Sequence, residues 1–190
     1  MFDFLGNSLS SIFLLEHSSI FTDKFLANTF KYFCGSNSNV AKRTIDCCKK
    51  YKITDFMRVC SDRLYFITDL ALRMKNFYLK NNFDICTNVF KKTFPSGQTC
   101  EIINVGTFKK NYRFFSKNDK EHIFNYFYKN SKKFRIKNFE SNISEKYQKI
   151  NLSIDKELDY KRAIKCFKEL KIGFQFQNKK VLDYYFRNFY

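Results

Sequence analysis

The sequence predicts a mainly α-helical protein, in which a helical bundle is followed by a basic aromatic C-terminal half with at most a small β element. Three observations support this prediction. Apolar residues recur every three or four positions over residues 54–80, further amphipathic stretches lie before and after them, and only residues 98–105 alternate as a strand would. A length of 190 residues suits one domain or two small ones.

The first half is predicted to form three helices. One begins at the capping residues Thr22 and Asp23 and ends at Gly35, and a short basic helix follows from Val40 to Tyr51. The longest begins at Thr54 and continues to residue 80, as the central helix of the bundle. Its apolar seam, with alternating spacings of three and four as in a heptad repeat, consists of Met57, Cys60, Leu64, Ile67, Ala71, Met74 and Tyr78.

A change of pattern follows the central helix. A short helix is predicted from Asp84 to Phe94, and the run Pro95-Ser96-Gly97 predicts a turn. Residues 98–105 form a candidate strand. The chain is therefore divided into an N-terminal bundle, residues 1–97, and a basic aromatic region, residues 98–190, that packs on it.

Three more helices are predicted in the second half. An amphipathic helix covers Asp119 to Lys133, and another follows the capping residue Ser153 and ends at Gly173. The last segment, Val181 to Tyr190, is predicted to be a helix that docks on the protein, because its aromatic residues would otherwise be exposed.

The net charge of +17, from 35 basic and 18 acidic residues, predicts a polyanionic partner. The charge is concentrated in residues 106–139, which contain ten Lys or Arg, two acids and ten aromatic residues. An AT-rich genome would explain part of this composition, since Lys, Asn, Phe, Tyr and Ile account for 97 of the 190 residues. It does not explain the local clustering of charge.

This pattern favours RNA binding. Lysine and arginine neutralise phosphates, and exposed tyrosine or phenylalanine rings can stack on unpaired bases. The alternative is that most of the phenylalanines are core residues and the lysines are their solvated face. The residues predicted to bind RNA are Lys109, Lys110, Tyr112, Arg113, Lys117, Lys132, Lys133, Arg135 and Lys137, together with Lys42, Arg43, Lys49 and Lys50.

Other chemistries have little support in the sequence. There is no glycine-rich phosphate loop and no HExxH motif, and His17 and His122 each follow a glutamate in a way that favours surface or capping roles. The seven cysteines include no CxxC pair, so free thiols are favoured over a zinc site. The sequence thus predicts no catalytic residue, metal or cofactor, and a protein that is not an enzyme.

Membrane association is not predicted. No apolar run approaches the roughly 20 residues of a transmembrane helix, and the N-terminus lacks the basic segment of a signal peptide. The segment Asp119 to Lys133 has the amphipathic pattern of a membrane-surface helix, but its rings are expected to pack on protein. These features favour a cytoplasmic protein without a membrane partner.

In its small size, basicity and bias toward Lys, Asn, Phe, Tyr and Ile, the chain resembles proteins of reduced, AT-rich parasite genomes. Among these are lineage-specific factors bound to dormant microsporidian ribosomes. The resemblance lies in composition and carries over no functional residue. It implies a non-catalytic hibernation factor that inhibits translation by occupying functional centres of the ribosome.

The predicted partners are therefore ribosomal RNA and ribosomal proteins, without a small-molecule substrate, and the predicted location is on cytoplasmic or organellar ribosomes. Two related functions stay open, namely a constitutive structural ribosomal protein and a viral nucleic-acid-binding structural protein. An enzyme whose site is not evident in the sequence is a third alternative.

Overall fold

The chain forms a mixed β-sheet flanked by helices, as seen in a computed structural model that describes residues 12–14, 33–172 and 176–190. The strands lie in the order β1-β2-β4-β3-β5, with β4 antiparallel to both of its neighbours and the other pairs parallel. The architecture is therefore α/β, and the predicted helical bundle is wrong. The strands are β1 (Ile12–Leu14), β2 (Asp55–Cys60), β3 (Ile85–Thr87), β4 (Glu101–Asn104) and β5 (Ile136–Asn138).

Helices cover both faces of this sheet and form a separate C-terminal layer. Two 3₁₀ turns, Tyr112–Phe114 and Ser131–Lys133, each follow one of the short helices. The described helices are α1 (Val40–Lys50), α2 (Thr68–Lys80), α3 (Val105–Asn111), α4 (Lys117–Glu121), α5 (Asn125–Lys129), α6 (Glu145–Gln148), α7 (Glu157–Leu170) and α8 (Asn178–Phe189).

The first face of the sheet packs on a largely aromatic cluster. Phe108 of α3 and Phe127 of α5 are fully buried there, with their rings stacked at a centroid distance of 5.9 Å. Phe56 of β2 meets Phe108 edge to face at 5.3 Å. Most of the phenylalanines of residues 106–139 are therefore core residues, as one interpretation of the sequence expected.

The second face of the sheet packs on α2. Leu70, Ala71 and Met74 of this helix are buried against Met57 of β2 and Ile102 of β4. Consecutive residues of the central strands therefore point into two different cores. Phe56 and Met57, or Ile102 and Ile103, are both buried although they lie on opposite faces.

This two-sided burial explains why the predicted central helix over residues 54–80 is wrong. Residues 55–60 form strand β2, and the helix begins only at Thr68. A strand that is covered on both faces carries apolar residues at adjacent positions, and these can match heptad spacing by coincidence. The seam positions Met57 and Cys60 were such a coincidence.

Other predicted elements differ in extent. The helix predicted from Asp84 to Phe94 is wrong, since residues 85–87 form β3 and no helix follows before residue 94. The helix predicted over residues 119–133 is interrupted and becomes α4, α5 and a 3₁₀ turn. The first predicted helix lies, apart from its last residues, outside the described residues. The predicted boundary between residues 97 and 98 falls between strands of one sheet, since β1, β2 and β3 precede it and β4 and β5 follow it.

Several local predictions are confirmed. Helix α1 agrees with the prediction, and its N-cap Asn39 accepts a hydrogen bond from the Lys42 amide at 2.9 Å. The candidate strand over residues 98–105 contains β4. Helix α8 is docked as expected, with Leu182 and Tyr185 buried.

A third core holds the C-terminal helices. Tyr65, in the connection between β2 and α2, is fully buried among aromatic rings from α7 and α8 and the segment before α8. Its centroid lies 5.5 Å from Phe167, 5.7 Å from Phe176 and 5.6 Å from Tyr185. Tyr65 thus anchors the C-terminal layer to the loop that follows β2. In the described part of the chain, no helix has the length and apolarity needed to cross a bilayer.

The predicted turn at Pro95-Ser96-Gly97 is confirmed and is tightly packed. The Gln98 amide donates to the Pro95 carbonyl at 3.2 Å, and Gly97 has a φ of +94°. A Cβ atom at Gly97 would lie 2.5 Å from the carbonyl carbon of Leu152. Glycine is required here by both the backbone conformation and the space.

We expect Gly97→Ala to lower the free energy of unfolding by about 2–4 kcal/mol, because strain at a positive φ adds to a backbone clash. Urea denaturation monitored by circular dichroism measures this change. Gly106→Ala is the comparison variant, since a Cβ there lies 2.8 Å from the side-chain oxygen of Asn104 but close to no backbone atom, so that its cost is limited to the N-cap bond from the Thr107 amide. Equal stability of the two variants would contradict the packing described for the turn.

Candidate functional site

A row of polar residues crosses the sheet near the carboxyl ends of its parallel strands. Arg58 of β2 is paired with Glu101 of β4, Glu101 with Thr87 of β3, and Thr87 with Asn138 of β5. The next row on the same face is apolar and contains Phe56, Ile103, Ile85 and Ile136. The first face of the sheet therefore changes from apolar to polar at this edge, which is where ligands bind in open α/β sheets.

Glu101 is the centre of a hydrogen-bonded network at this edge. The Glu101 side chain is only 7% exposed. Its carboxylate lies 3.1 Å from Nη1 of Arg58 and accepts a hydrogen bond from the Tyr128 hydroxyl at 2.7 Å. The Thr87 hydroxyl lies 2.8 Å from that of Tyr128 and donates to it, because the hydroxyl hydrogen of Tyr128 already points at Glu101. A buried carboxylate needs such partners, since an unpaired charge there would be very unfavourable.

Burial, together with the negative charge of Glu101, raises the pKa of Tyr128 above the ordinary tyrosine range. The phenol therefore stays protonated, and remains a hydrogen-bond donor, above the pH at which a free tyrosine ionises. The network holds Glu101 and, through it, Arg58 in one orientation.

A cavity of about 430 Å³ opens beside this network. Phe90 covers part of Tyr128, with the two rings stacked at 5.5 Å. Cationic, aromatic and amide groups together surround the space, a combination suited to an anionic ligand that also has an apolar or ring-shaped part. The lining residues are Arg58, Val89, Phe90, Lys92, Glu101, His122, Phe124, Asn125 and Tyr128.

Further charged residues follow the end of β2. Arg63 donates from Nη1 to the Ser153 hydroxyl at 3.0 Å, and the Asp62 carbonyl accepts from the Ile154 amide at 3.2 Å. These bonds fix the loop after β2 against the C-terminal segment. The Cys60 thiol lies within the electrostatic influence of Arg58, Arg63, Asp62 and Glu101, although burial is the main reason why its pKa is raised. The charges of the loop and of the polar row thus converge on one edge.

The basic residues predicted from the sequence occupy a different region, on the outer surface of the helices that cover the first face. Lys109 and Lys110 end α3, Lys117 begins α4, and Lys132 and Lys133 lie in the second 3₁₀ turn, all exposed. Lys49 and Lys50 are exposed at the end of α1.

Four other predicted residues have partners within the protein. Lys42 forms an ion pair with Asp46 at 2.6 Å, and Arg43 is buried, with Nη1 donating to the Ser36 carbonyl at 3.3 Å. Arg135 donates to the Asn82 side chain at 2.8 Å. Lys137 lies on the second face of the sheet, over the Phe77 ring at 5.4 Å.

The tyrosine predicted to stack on bases is engaged within the protein. The Tyr112 hydroxyl accepts from the Asn39 side chain at 2.9 Å, and Lys120 lies 5.8 Å from the centre of its ring. Phe114 is more than half exposed, and the Arg113 guanidinium lies over it at 4.7 Å. Lys109, Lys110, Arg113 and Lys117 are thus exposed on consecutive elements of the chain. Arg43 is buried, and Lys137 lies on the other face of the sheet.

The residues around the cavity were not selected from the sequence, except that His122 was assigned a surface or capping role. His122 does cap α4 and is exposed, and it also lines the cavity. A usable signal was Glu101, an acid that directly precedes the apolar pair Ile102 and Ile103 in a predicted strand. An acid in such a position must be paired when the strand is buried, which predicts a polar network without identifying its members.

All seven cysteines are free. The described residues contain no group of three or more His, Cys, Asp or Glu side chains arranged to hold a metal ion.

The fold is shared with a nucleotidyltransferase. A cytidylyltransferase from Leptospira borgpetersenii serovar Hardjo-bovis superposes on this chain with a TM-score of 0.74 and 24% sequence identity, over 81% of this chain. The match covers 65% of the neighbour, so this chain spans less than two thirds of that protein's length. No protein-family model and no curated protein matches the sequence.

This likeness and the α/β sheet correct the functional predictions made from composition. Composition predicted a ribosome hibernation factor with ribosomal RNA and ribosomal proteins as partners, without enzymatic activity and without a small-molecule substrate. The likeness of the fold to that of a cytidylyltransferase contradicts these predictions. The prediction failed because an AT-rich composition and a positive charge are compatible with any fold.

We expect Tyr128→Phe to lower the free energy of unfolding by about 1–2 kcal/mol at neutral pH, because Glu101 and Thr87 lose a buried partner. A second effect appears at high pH. The unfolded chain loses the Tyr128 proton near pH 10 while the native protein keeps it, so this tyrosine's contribution to stability falls as the pH rises above that value. The variant should therefore lose stability less steeply above pH 10, by about 1.4 kcal/mol per pH unit.

Urea denaturation at a series of pH values measures both effects. Tyr160→Phe, at an exposed position on α7, is the control and should leave stability and slope close to those of the unmodified protein. An unchanged slope in Tyr128→Phe would show that the Tyr128 phenol is not protonated in the native state at high pH.

Proposed function

We propose that this chain is a nucleotidyltransferase that binds a phosphorylated or carboxylated small molecule in the cavity beside Glu101. The observation that supports this most strongly is the position of the cavity, at the carboxyl edge of a sheet shared with a cytidylyltransferase. The name of that neighbour makes CTP the first nucleotide to test. Fold alone does not define an activity, so the proposal also depends on the chemistry of the cavity.

The cavity has groups that suit an anionic acceptor. Arg58 and Lys92 are cations, and His122 and Asn125 can donate hydrogen bonds to phosphate or carboxylate oxygens. The exposed Phe90 ring can cover the apolar face of a sugar or base. Glu101 itself is occupied by Arg58 and Tyr128, so we assign it a positioning role rather than contact with the ligand.

The proposed reaction forms one bond and breaks one. An oxygen of the acceptor attacks the α-phosphorus of the nucleoside triphosphate, and the bond from this phosphorus to the bridging oxygen of the β-phosphate breaks. Pyrophosphate leaves with the bond electrons, and a proton is released to solvent only if the attacking group is a hydroxyl. Positive groups lower the barrier by stabilising the charge that moves to the leaving oxygen.

Side chains are one source of this positive charge in the present protein. The sequence has five glycines, and none of them form a glycine-rich loop that could cradle phosphates with backbone amides. Arg58 and Lys92 in the cavity lining, and Arg63 in the loop after β2, are the cations that the described edge offers.

The purified protein should release pyrophosphate from CTP in the presence of magnesium when a suitable sugar phosphate or sugar acid is supplied. A panel of such acceptors, followed by mass spectrometry of the nucleotide-linked product, identifies the acceptor class. ATP, GTP and UTP in parallel define the base specificity. If no nucleotide yields pyrophosphate or binds measurably with any acceptor, the proposal is wrong.

We expect Lys92→Gln to weaken acceptor binding about tenfold, the usual cost of losing a charge-assisted hydrogen bond. Isothermal titration calorimetry measures the affinity. Lys91→Gln is the matched control, because the neighbouring Lys91 is exposed and binds Glu140 at 3.0 Å instead of lining the cavity. An equal loss of affinity in the two variants would show that the acceptor does not bind in this cavity.

A further inference from the structure

The helices that cover the first face of the sheet carry a broad basic surface on their outer side. We call it the basic face and define it by exposed cations of α1, α3, α4 and the two 3₁₀ turns. None of them forms an ion pair with a described acid, because the recorded ion pairs use other residues. These cations are Lys49, Lys109, Lys110, Arg113, Lys117, Lys132 and Lys133.

The acids of the same helices do not neutralise this surface. Asp46 is paired with Lys42. Asp119 is buried, caps α4 together with Ser116 and accepts from Lys129 at 3.0 Å. Of the acids on α1, α3, α4 and α5, only Glu121 is exposed without a recorded ion pair. A strong positive potential therefore remains on one side of the molecule.

One aromatic ring projects from the basic face. Phe114 is 54% exposed, and its inner side stacks on Tyr126 with an angle of 10° between the ring planes. The Arg113 guanidinium lies 4.7 Å from the centre of the same ring. An exposed apolar ring within a field of lysines is the combination that peripheral proteins use at the interface of anionic bilayers.

We propose that the basic face docks on the surface of an anionic lipid bilayer, with Phe114 entering the headgroup region. The lysines would be attracted by the surface potential of anionic lipids, each contributing on the order of 1 kcal/mol. This inference differs from the amphipathic helix considered in the sequence, because the rings of Phe124 and Phe127 are buried in the core.

A nucleic acid is less well suited to this surface. Single-stranded binding uses several rings on which successive bases stack. Of the described rings on these helices and 3₁₀ turns, only Phe114 is exposed, and the Tyr112 hydroxyl is already bonded to Asn39. A surface of dispersed lysines with one projecting ring fits a fluid array of headgroups better.

Co-sedimentation with vesicles tests this proposal without reference to catalysis, so its failure would leave the proposed activity untouched. Neutral phosphatidylcholine vesicles are compared with vesicles that contain about 30 mol% phosphatidylserine. We expect binding at least about tenfold tighter to the anionic vesicles and weakening as salt is raised. Equal binding to both kinds of vesicle, or none, would overturn the proposal.

Two variants locate the contact. The triple variant Lys109→Gln, Arg113→Gln, Lys117→Gln should lower vesicle affinity about a hundredfold, from three contributions of on the order of 1 kcal/mol. The matched control, Lys161→Gln, Lys165→Gln, Lys168→Gln, removes the same charge from α7 and should change affinity less than about threefold. A larger loss in the control would show that another surface binds.

Phe114→Ser adds a test of insertion, since it should weaken vesicle binding severalfold while leaving the salt dependence unchanged. Oligonucleotides of 30 nucleotides, single- and double-stranded, are tested under the same salt conditions. Tighter binding to an oligonucleotide than to anionic vesicles, lost in the triple variant, would assign the basic face to nucleic acid and overturn the lipid proposal.

Discussion

Burial of strand β4 on both faces is the constraint on which the rest of the structure depends. β4 is antiparallel between β2 and β3, and its two isoleucines, Ile102 and Ile103, have no exposed surface although they point in opposite directions. Each face must therefore be covered, by α2 on one side and by the aromatic helices on the other. The tight turn at Gly97 lies in the connection from β3 to β4, shortly before this strand begins.

The same constraint creates the candidate site. Because β4 begins at the carboxyl edge of its neighbours, its first residue, Glu101, lies in a buried row beside Arg58 and Thr87. A carboxylate in this position needs partners, and Tyr128 from α5 completes the set. The interactions that stabilise the sheet edge thus also orient Arg58 beside the cavity. Structural and functional roles are joined in one network, as is common where buried polar groups are fully satisfied.

Two groups of the cations behind the net charge of +17 lie in different environments. At the sheet edge, Arg58 and Arg63 are held by hydrogen bonds to Glu101 and Ser153, which fixes their positions. On the basic face, lysines extend from short helices without ion-pair partners among the described residues. Fixed cations suit recognition of one small anion, and dispersed ones suit a large, non-specific anionic surface. The proposals for the cavity and for the basic face follow from this difference.

The sequence by itself determined the local features of this protein. Helix α1, helix α8, the turn at Gly97 and strand β4 depend on caps, glycine and short-range periodicity, and the concentration of charge in residues 106–139 is a matter of composition. Tertiary structure decided which residues are covered on both sides. Residues 55–60 match both a heptad pattern and a doubly buried strand, because a strand that is buried on both faces carries apolar residues at adjacent positions, and some of these, such as Met57 and Cys60, are also three residues apart as in a heptad seam. Only pairing with β4 selects the strand. Tertiary structure also decided the contacts among Arg58, Glu101 and Tyr128, since residues far apart in the chain come together only through strand register and helix packing.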